Sequence, residues 1–354
     1  MPAIEEPILV TGATGFFGSH LVDRLVSDGL RPRVLVRGNP GRIPLRWAGH
    51  VDVAQGDLDD PGALSRAMAA ARTVFHLAAQ VGDAGTLAQH RAATVAGTRN
   101  LIAAAATGRP RVVLTSSIVV CGTKLRTHVA DEDLPWGSPA GYYGACKQEQ
   151  ERLSVEMAQR CKVPLVVVRP GCVYGPRSSL FVDAIIVELR RGTPLLIDGG
   201  DFNAGLCHVY NLVEMLLLAA AAPDAVGRVY NAADGSDVTW KRYFTDLARL
   251  AGARPPRRLP RAVATALCAL VEPSWRMLRL QGRPPLTREA LNLLGSDLRI
   301  PIARAREELR FQPFFPYDEA LRGIDGYLHG ALAQPVARPP QRPDRSAATG
   351  PGGA

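Results

Sequence analysis

The stretch ILVTGATGFFGSHLVDRL, residues 8–25, decides the fold of this chain. Three glycines at a spacing of three, Gly12, Gly15 and Gly18, lie between a short apolar run and a segment with apolar residues at helical spacing. Glycine after a strand allows positive φ and a close approach of a ligand to the backbone. The following helix N-terminus presents free N–H groups and a positive dipole, which suit phosphates. The stretch therefore predicts a strand, a phosphate-binding turn and a helix.

The alternation of strand and helix patterns continues to about residue 175. Strands alternating with helices of ten or more residues are typical of βαβ units on a parallel sheet, with the ligand at the carboxyl ends of the strands. We therefore expect an α/β fold with a doubly wound parallel sheet of the Rossmann type. The predicted strands lie near residues 8–10, 33–36, 51–57, 73–79, 111–117 and 164–170, and the predicted helices near residues 19–29, 61–71, 89–107 and 143–160.

This context makes the glycine turn a predicted dinucleotide-binding site, although its G-x-x-G-x-x-G spacing departs from the standard G-x-G-x-x-G. A site that prefers NAD usually has an acid at the end of the second strand. This chain has Arg37 there, which can pair with a 2′-phosphate through charge-assisted hydrogen bonds. We therefore favour NADP as the cofactor and keep NAD open.

The second half of the chain has a different organisation, in which helix patterns mix with short strands and many prolines. We expect an NAD(P)-binding Rossmann domain over residues 1–175. Residues 176–333 are expected to form mainly a smaller, mixed substrate-binding domain that is partly interleaved with the first. Residues 334–354 lack a periodic apolar face, so we expect a disordered tail there.

The composition is that of a globular enzyme with an excess of positive charge. The 354 residues are 47% hydrophobic and carry a formal net charge of +9. Seven arginines and one acid, Glu272, lie within residues 252–283, which gives that segment a charge of +6. Such a cluster suits a membrane surface, an acidic partner or a solvated face. No nucleic-acid recognition motif accompanies it, so we expect no nucleic-acid partner.

The cysteine pattern and the N-terminus predict a cytoplasmic protein. The six cysteines form no C-x-x-C pair, which is typical of reduced thiols, and we expect no metal site. The first residues are acidic where a signal peptide would be basic, and no run of about 20 apolar residues occurs. Residues 260–281 combine an apolar core with arginines. That segment is either a core helix or a peripheral contact with a membrane.

The candidate catalytic residues are Tyr143 and Lys147, which lie at i and i+4 and hence on one face of a helix. A fixed ammonium group beside a phenol favours the phenolate, which makes the tyrosine a usable general acid and base. Ser117 stands at the end of an earlier predicted strand and could hold a substrate oxygen against Tyr143.

Together these motifs resemble the extended short-chain dehydrogenase/reductase family over about residues 7–330. The resemblance implies that Ser117, Tyr143 and Lys147 form the catalytic triad. In the segment TVAGT, Thr94 stands where the family usually has asparagine. The matching motifs are TGATGFFG (11–18), GDLDD (56–60), FHLAA (75–79), TSS (115–117), Y-x-x-x-K (143–147) and RPGCVYGP (169–176). The glycine turn, the second-strand arginine and the resemblance together predict cofactor contacts from Gly12, Gly15, Phe16, Phe17, Gly18, Arg37, Asp57, Leu58, Ala78, Ala79, Tyr143, Lys147, Pro170 and Val173.

Three branches of the family compete. Nucleotide-sugar dehydratases carry an Asp-Glu pair after the threonine of the Ser117 strand, whereas this chain has TSSIVV. Nucleotide-sugar epimerases usually have asparagine at the position of Cys172, and a thiol replaces that amide poorly. The 3β-hydroxysteroid dehydrogenase-like branch fits best. Its resemblance rests on RPGCVYGP and on residues 208–220, 230–240, 260–281 and 284–294.

We therefore predict an NAD(P)-dependent oxidoreductase that interconverts a secondary alcohol and a ketone. Its substrate is expected to be an apolar small molecule, either steroid-like or of another apolar class. A nucleotide-sugar epimerase is the alternative, and a non-catalytic NAD(P)-binding sensor or scaffold is a more remote one. The resemblance also allows a homodimer through the helices near residues 90–107 and 143–160.

Overall fold

A parallel β-sheet forms the centre of the molecule. The computed structural model describes residues 4–39, 41, 43–278, 284 and 286–330. The strands are β1 (Ile8–Thr11), β2 (Arg33–Val36), β3 (Asp52–Gln55), β4 (Thr73–His76), β5 (Arg111–Thr115), β6 (Leu165–Pro170), β7 (Cys172–Tyr174), β8 (Pro194–Ile197), β9 (Leu206–His208), β10 (Val229–Ala232) and β11 (Arg257–Leu259). Seven of them form the central sheet in the order β10-β6-β5-β4-β1-β2-β3. Two further parallel pairs, β8 with β11 and β7 with β9, lie outside it.

Helices cover the sheet. They are α1 (Phe16–Ser27), α2 (Pro61–Met68), α3 (Leu87–His90), α4 (Gly97–Gly108), α5 (Tyr142–Cys161), α6 (Ala184–Arg191), α7 (Val209–Ala221), α8 (Trp240–Leu250), α9 (Arg261–Met277), α10 (Arg288–Leu294), α11 (Ala303–Glu308) and α12 (Tyr317–Leu328). Two π-helical turns, Arg91–Ala96 and Ser179–Asp183, precede α4 and α6. A 3-10 segment, Ile118–Arg126, follows β5.

The sheet confirms the predicted doubly wound α/β fold. All strand pairs in it are parallel, and every residue of β1, β4 and β6 is buried, as expected for strands covered on both faces. The strand order reverses direction between β1 and β4. Such a switch point opens a crevice at the carboxyl ends of the strands, which is where ligands bind in this class of sheet.

One predicted helix is interrupted. The continuous helix expected near residues 89–107 is α3, then the π-helical turn Arg91–Ala96, then α4. Helix α3 begins earlier than predicted because Thr86 and Gln89 form a capping box. π-Helical turns within helices are frequent at functional sites, and this one carries Thr94.

The chain after residue 175 contributes to the central sheet. Strand β10 pairs with β6, and α7 is buried along almost its whole length. The guanidinium group of Arg111 on β5 donates to the carbonyl oxygens of Ala220 and Ala222 at 2.7 and 2.8 Å, which ties the end of α7 to the sheet. The predicted tail, residues 334–354, lies outside the described residues.

Candidate active site

The glycine turn has the close packing that its residue types predict. Gly12 has φ of +70°, and a Cβ atom there would lie 2.7 Å from the backbone nitrogen of Ala78. A Cβ atom on Gly18 would overlap the carbonyl oxygen of Gly12. Gly15 is the N-cap residue of α1, is exposed, and makes no side-chain capping bond. The turn is therefore a backbone cradle at a helix N-terminus, which fits the phosphates of a dinucleotide.

The first turn of α1 continues this surface with two aromatic side chains. Phe16 and Phe17 are half-buried, and their ring centroids lie 5.3 Å apart. Ala78 and Ala79 follow β4 and are half-buried beside the turn. These four predicted contacts thus lie at the carboxyl ends of β1 and β4, next to the switch point.

Arg37 and Asp57 lie at the ends of the two neighbouring strands. The Nε atom of Arg37 is 3.8 Å from Oδ2 of Asp57, and the arginine side chain is 81% exposed. Oδ1 of Asp57 accepts the backbone N–H of Leu58 at 2.7 Å. Leu58 is buried against Gly97, where a Cβ atom would lie 2.9 Å from its Cδ1 atom. The loosely paired guanidinium group is accessible to an anionic ligand.

Thr94 has a definite role in the loop after β4. Its side chain is fully buried, and its hydroxyl oxygen accepts the backbone N–H of Gln80 at 3.1 Å. The residue that departs from the family pattern therefore fixes the backbone next to Ala78 and Ala79.

Pro170 and Val173 follow one another at the carboxyl end of β6. Pro170 ends β6, at the same edge of the sheet as the glycine turn, Val173 lies in β7, and both are buried. Strand β7 pairs with β9, which places Val173 opposite Cys207. Cys172 is 1% exposed, and burial raises the pKa of its thiol. None of these side chains carries a charge.

Ser117 and Tyr143 are brought together, although 26 positions separate them. Ser117 follows β5 and begins the 3-10 segment Ile118–Arg126, and Tyr143 lies in the first turn of α5. Burial raises the pKa of the Tyr143 phenol, whereas its hydrogen bond with the Ser117 side chain lowers it. The negative charge of Glu289 raises it further. The phenol is thereby held in its protonated form, as a proton donor requires.

Lys147 lies one turn farther along α5 and is only 3% exposed. Its Nζ atom donates to the carbonyl oxygen of Thr115 and to Oε1 of Gln150, both at 2.9 Å. It lies 6.0 Å from the centroid of the Tyr143 ring. Burial lowers the pKa of Lys147 to about 7, and the nearby carboxylate of Glu151 opposes that shift.

A chain of neutral hydrogen-bonding groups extends from Lys147 to β1. Nε2 of Gln150 donates to Oγ1 of Thr98 at 2.7 Å, and that hydroxyl donates to the carbonyl oxygen of Thr94 at 2.6 Å. The Thr98 oxygen is 2.8 Å from Nε2 of His76, which must therefore donate to it. Burial lowers the pKa of His76 to about 3, so the imidazole is neutral.

The other imidazole nitrogen completes this chain. Nδ1 of His76 lies 2.7 Å from Oγ1 of Thr11, and it accepts from that hydroxyl because its proton is on Nε2. Thr11 immediately precedes the glycine turn. Gln150 and His76 are not among the site residues predicted from the sequence, although Gln150 follows Lys147 at i+3 and His76 lies within the FHLAA motif.

A buried ion pair lies one turn beyond Lys147 on the same face of α5. Nη2 of Arg169 is 2.5 Å from Oε1 of Glu151, and both side chains are at most 5% exposed. The hydroxyl of Ser116 donates to Oε2 of Glu151 at 2.5 Å. Breaking a buried pair by removing one partner is costly, so this pair firmly links the end of β5, helix α5 and β6. This pair, too, is absent from the residues predicted from the sequence.

The chain matches known proteins over most of its length. It matches the sequence model of the NAD dependent epimerase/dehydratase family over residues 8–233. It is 32% identical to a 4-hydroxy-2-methyl-3-oxo-4-farnesyl-3,4-dihydroquinoline-1-oxide ketoreductase of Stigmatella aurantiaca, covering 89% of this chain and 94% of that protein. It is 30% identical to a 2-alkyl-3-oxoalkanoate reductase of Stenotrophomonas maltophilia, covering 90% and 98%.

More distant matches agree with these. A 3 beta-hydroxysteroid dehydrogenase/Delta 5-->4-isomerase of Mycobacterium tuberculosis is 27% identical, with 89% of this chain and 88% of that protein covered. The crystal structure of gox2253 superposes with a TM-score of 0.76 at 26% identity and covers 93% of this chain and 99% of that one. These matches confirm the resemblance predicted from the motifs and the Rossmann-type fold.

Proposed function

Because the chain belongs to the NAD-dependent epimerase/dehydratase family, we propose that it is an oxidoreductase that reduces an apolar ketone to a secondary alcohol. The observation that carries the proposal is the assembly of Ser117, Tyr143 and Lys147 at the carboxyl end of β5. The names of the relatives support it, since two of them are described as reductases of 3-oxo compounds.

In this proposal each residue of the triad has a distinct role. The hydroxyl of Ser117 donates a hydrogen bond to the substrate carbonyl oxygen, and Tyr143 donates its phenolic proton to the same oxygen as the alcohol forms. Lys147 binds the cofactor ribose and stabilises the resulting phenolate by its charge. When bound, the nicotinamide supplies the hydride, so that ketone, hydride and proton together give the alcohol.

The cofactor would lie on the backbone cradle of Gly12, Gly15 and Gly18. We propose NADPH as the preferred form, because the exposed guanidinium group of Arg37 can form a bidentate pair with a 2′-phosphate. The contact between Arg37 and the carboxylate of Asp57 would have to break when the guanidinium group binds the phosphate.

The substrate is proposed to be apolar at its reacting end. Pro170, Cys172 and Val173, at the carboxyl end of β6 and in β7, are buried and uncharged, which suits a hydrocarbon better than a sugar diphosphate. A steroid is one such substrate, and a long-chain 3-oxo compound is another.

The test is turnover by the purified chain. NADPH and NADH are each offered with long-chain 3-oxo compounds, 3-oxo steroids and aryl ketones, and UDP-sugars are offered separately. We expect NADPH consumption with one apolar class. Inversion of a UDP-sugar without net cofactor consumption would establish the epimerase alternative instead. Tight cofactor binding without turnover of any ketone or sugar would point to the sensor or scaffold.

We also propose a peripheral contact with anionic lipid through α9. Val263, Leu267 and Leu270 form one exposed apolar stripe on this helix, whose opposite side is buried at Ala264 and Cys268. Strand β11, which precedes α9 in the chain, begins with two exposed arginines, Arg257 and Arg258. Apolar residues bordered by arginine suit the headgroup region of a bilayer. Among the described residues, no helix has the length and apolarity needed to cross a membrane. The homodimer through α4 and α5 stays a prediction.

A further inference from the structure

Helix α10 connects the three segments that carry the proposed active site. The hydroxyl of its N-cap residue, Thr287, bonds to the carboxylate of Asp83 in the loop after β4. Nδ2 of Asn292 donates to the carbonyl oxygen of Gly122, in the 3-10 segment that follows Ser117, at 3.0 Å. Glu289 lies between these two contacts on α10. It is therefore held in a fixed place.

The carboxyl group of Glu289 lies against the first turn of α5. Its Oε2 atom accepts the backbone N–H of Gly144 at 3.4 Å, and its side chain is buried, with 5% exposed. A Cβ atom on Gly141 would lie 2.5 Å from Oε2, and one on Gly144 would lie 3.1 Å from Oε1. Glycine at both positions is what admits the carboxyl group.

This carboxyl group acts as the cap that α5 lacks locally. Gly141 is the N-cap residue and makes no side-chain capping bond, so an orphan N–H of the first turn is satisfied from α10 instead. A negative charge at this helix end also interacts favourably with the helix dipole. Tyr143 lies between the two glycines and experiences the same charge.

The surroundings of Glu289 make its charge depend on pH near neutrality. Burial raises its pKa to about 7, and the carboxylates of Asp83 and Glu272 act in the same direction, whereas the Gly144 N–H opposes them. The Nε atom of Arg288 is 3.7 Å from Glu272, and this arginine is mostly exposed. Glu289 is thus neutral in mildly acidic solution and negatively charged in mildly alkaline solution.

We propose that Glu289 is a positioning residue for Tyr143, capping the turn that carries the phenol and placing a titratable negative charge beside it. This inference rests on the proposed function, since it takes Tyr143 as the proton donor. When Glu289 is ionised, its charge disfavours the phenolate, so Tyr143 keeps the proton needed for ketone reduction up to a higher pH and becomes the base needed for alcohol oxidation only at a higher pH. When Glu289 is neutral, both transitions lie at lower pH.

The test is the pH dependence of kcat/KM in both directions for the wild type and for Glu289→Gln. Glutamine keeps the shape and an oxygen for the Gly144 N–H but removes the charge. We expect the rise of alcohol oxidation with pH to move to lower pH by roughly one unit, which is about tenfold in rate on the rising limb. The alkaline fall of ketone reduction moves in the same direction, and an inflection near pH 7 in the wild type disappears.

The matched control is Glu149→Gln, which removes a carboxylate from α5 itself. Glu149 pairs with Arg91 at 3.0 Å, away from the first turn, so its profile should superpose on that of the wild type. A merely structural role for Glu289 would change kcat without moving either profile, and that result would overturn the inference. Equal shifts in both variants would overturn it as well.

Two further variants separate this inference from the proposed function. Tyr143→Phe should be inactive, and if it turned over ketone at the wild-type rate, the proposed function would fail independently of Glu289. Glu289→Asp keeps the charge but withdraws it by one methylene group, so the inflection near pH 7 should persist. Its loss in Glu289→Asp would contradict a role for the charge, and this measurement remains available if the glutamine variant does not fold.

Discussion

The ammonium group of Lys147 donates to the amide oxygen of Gln150 at 2.9 Å, one turn along the same helix. The lysine is thus held by a neutral side chain, which is itself bonded to Thr98. This arrangement fixes the position of the charge without neutralising it. It explains how a buried lysine can remain directed towards the site while burial lowers its pKa to about 7.

Replacing Gln150 by leucine should weaken cofactor binding. Without its acceptor the ammonium form of Lys147 loses stability, so a smaller fraction is charged at neutral pH. Loss of the two hydrogen bonds that Gln150 makes with Lys147 and Thr98 should also cost about 1–3 kcal/mol of unfolding free energy. Cofactor fluorescence titration and urea unfolding measure the two effects. Gln148→Leu is the control, because the side-chain amide of Gln148 donates to the carbonyl oxygens of Val120 and Gly137, both at 2.8 Å, instead of holding Lys147. Equal loss of cofactor affinity in both variants would contradict this role.

Tyr143→Phe should abolish ketone reduction while the cofactor still binds. The variant lacks the proton donor, and loss of a positioned acid typically costs roughly 10²- to 10⁴-fold in rate. Steady-state kinetics and cofactor titration check the two parts. Tyr142→Phe is a matched control on the neighbouring position of α5 and should keep most of the activity. Turnover that survived in Tyr143→Phe would remove this residue from the mechanism.

Arg37→Asp should weaken NADPH binding by roughly 10- to 100-fold and leave NADH binding nearly unchanged. The reason is that only NADPH offers the 2′-phosphate, and a charge-assisted bond is worth about 1.5–3 kcal/mol. Arg31→Asp serves as the control, because Arg31 is also exposed but precedes β2, at the opposite end of that strand from Arg37, and pairs with Asp52. A similar loss for both cofactors would withdraw the preference for NADP.

The contribution of Glu289 to stability, measured as the difference between the wild type and Glu289→Gln, should decrease as the pH rises from about 4.5 to about 7. The buried neutral His76 changes the total stability in the opposite sense over this range, and it does so equally in both proteins. The pKa of Glu289 is raised in the folded state, so the folded chain holds that proton more tightly than the unfolded chain does. The stabilisation that protonated Glu289 gives the folded state is fully present below the pKa of the unfolded chain. It is lost as the pH rises through the pKa of the folded chain, and the loss amounts to up to about 3 kcal/mol. Urea unfolding of the wild type and of Glu289→Gln at several pH values measures it. The two curves should converge at low pH, and parallel curves would disprove the assignment.

Leu270→Glu should reduce binding to vesicles that contain anionic lipid. Leu270 is 68% exposed on α9, and a charge there would have to be dehydrated in the headgroup region. Val226→Glu is the control, since Val226 is an exposed apolar residue on another part of the surface. Sedimentation with vesicles compares the variants. Binding that is absent from the wild type, or lost equally in both variants, would eliminate the lipid contact.

The sequence predicted those parts of the site that depend on local spacing. Residues at i and i+4, such as Tyr143 and Lys147, always lie on one face of a helix, and the glycines directly follow a strand. Both features can therefore be predicted without knowledge of the tertiary structure. Glu289 is different, because it reaches Tyr143 across 146 positions and no periodicity links them. The π-helical interruption of the helix near residues 89–107 could not be predicted from local sequence either. It carries Thr94, whose hydrogen bond with Gln80 joins two separate segments of the chain.

Strand β10 gives the fold a property that matters for engineering. Residues 229–232 of β10 pair with β6. A chain cut near residue 175 would therefore leave β6 as an unpaired edge strand of six residues, all of which are buried in the intact fold. Long, flat, unprotected edges invite pairing with other chains and aggregation. We therefore expect that residues 1–175 cannot be transferred to another protein as an independent folding unit. If segments between β6 and β10 are exchanged to alter substrate choice, β10 should be kept, because it is the edge strand that covers β6.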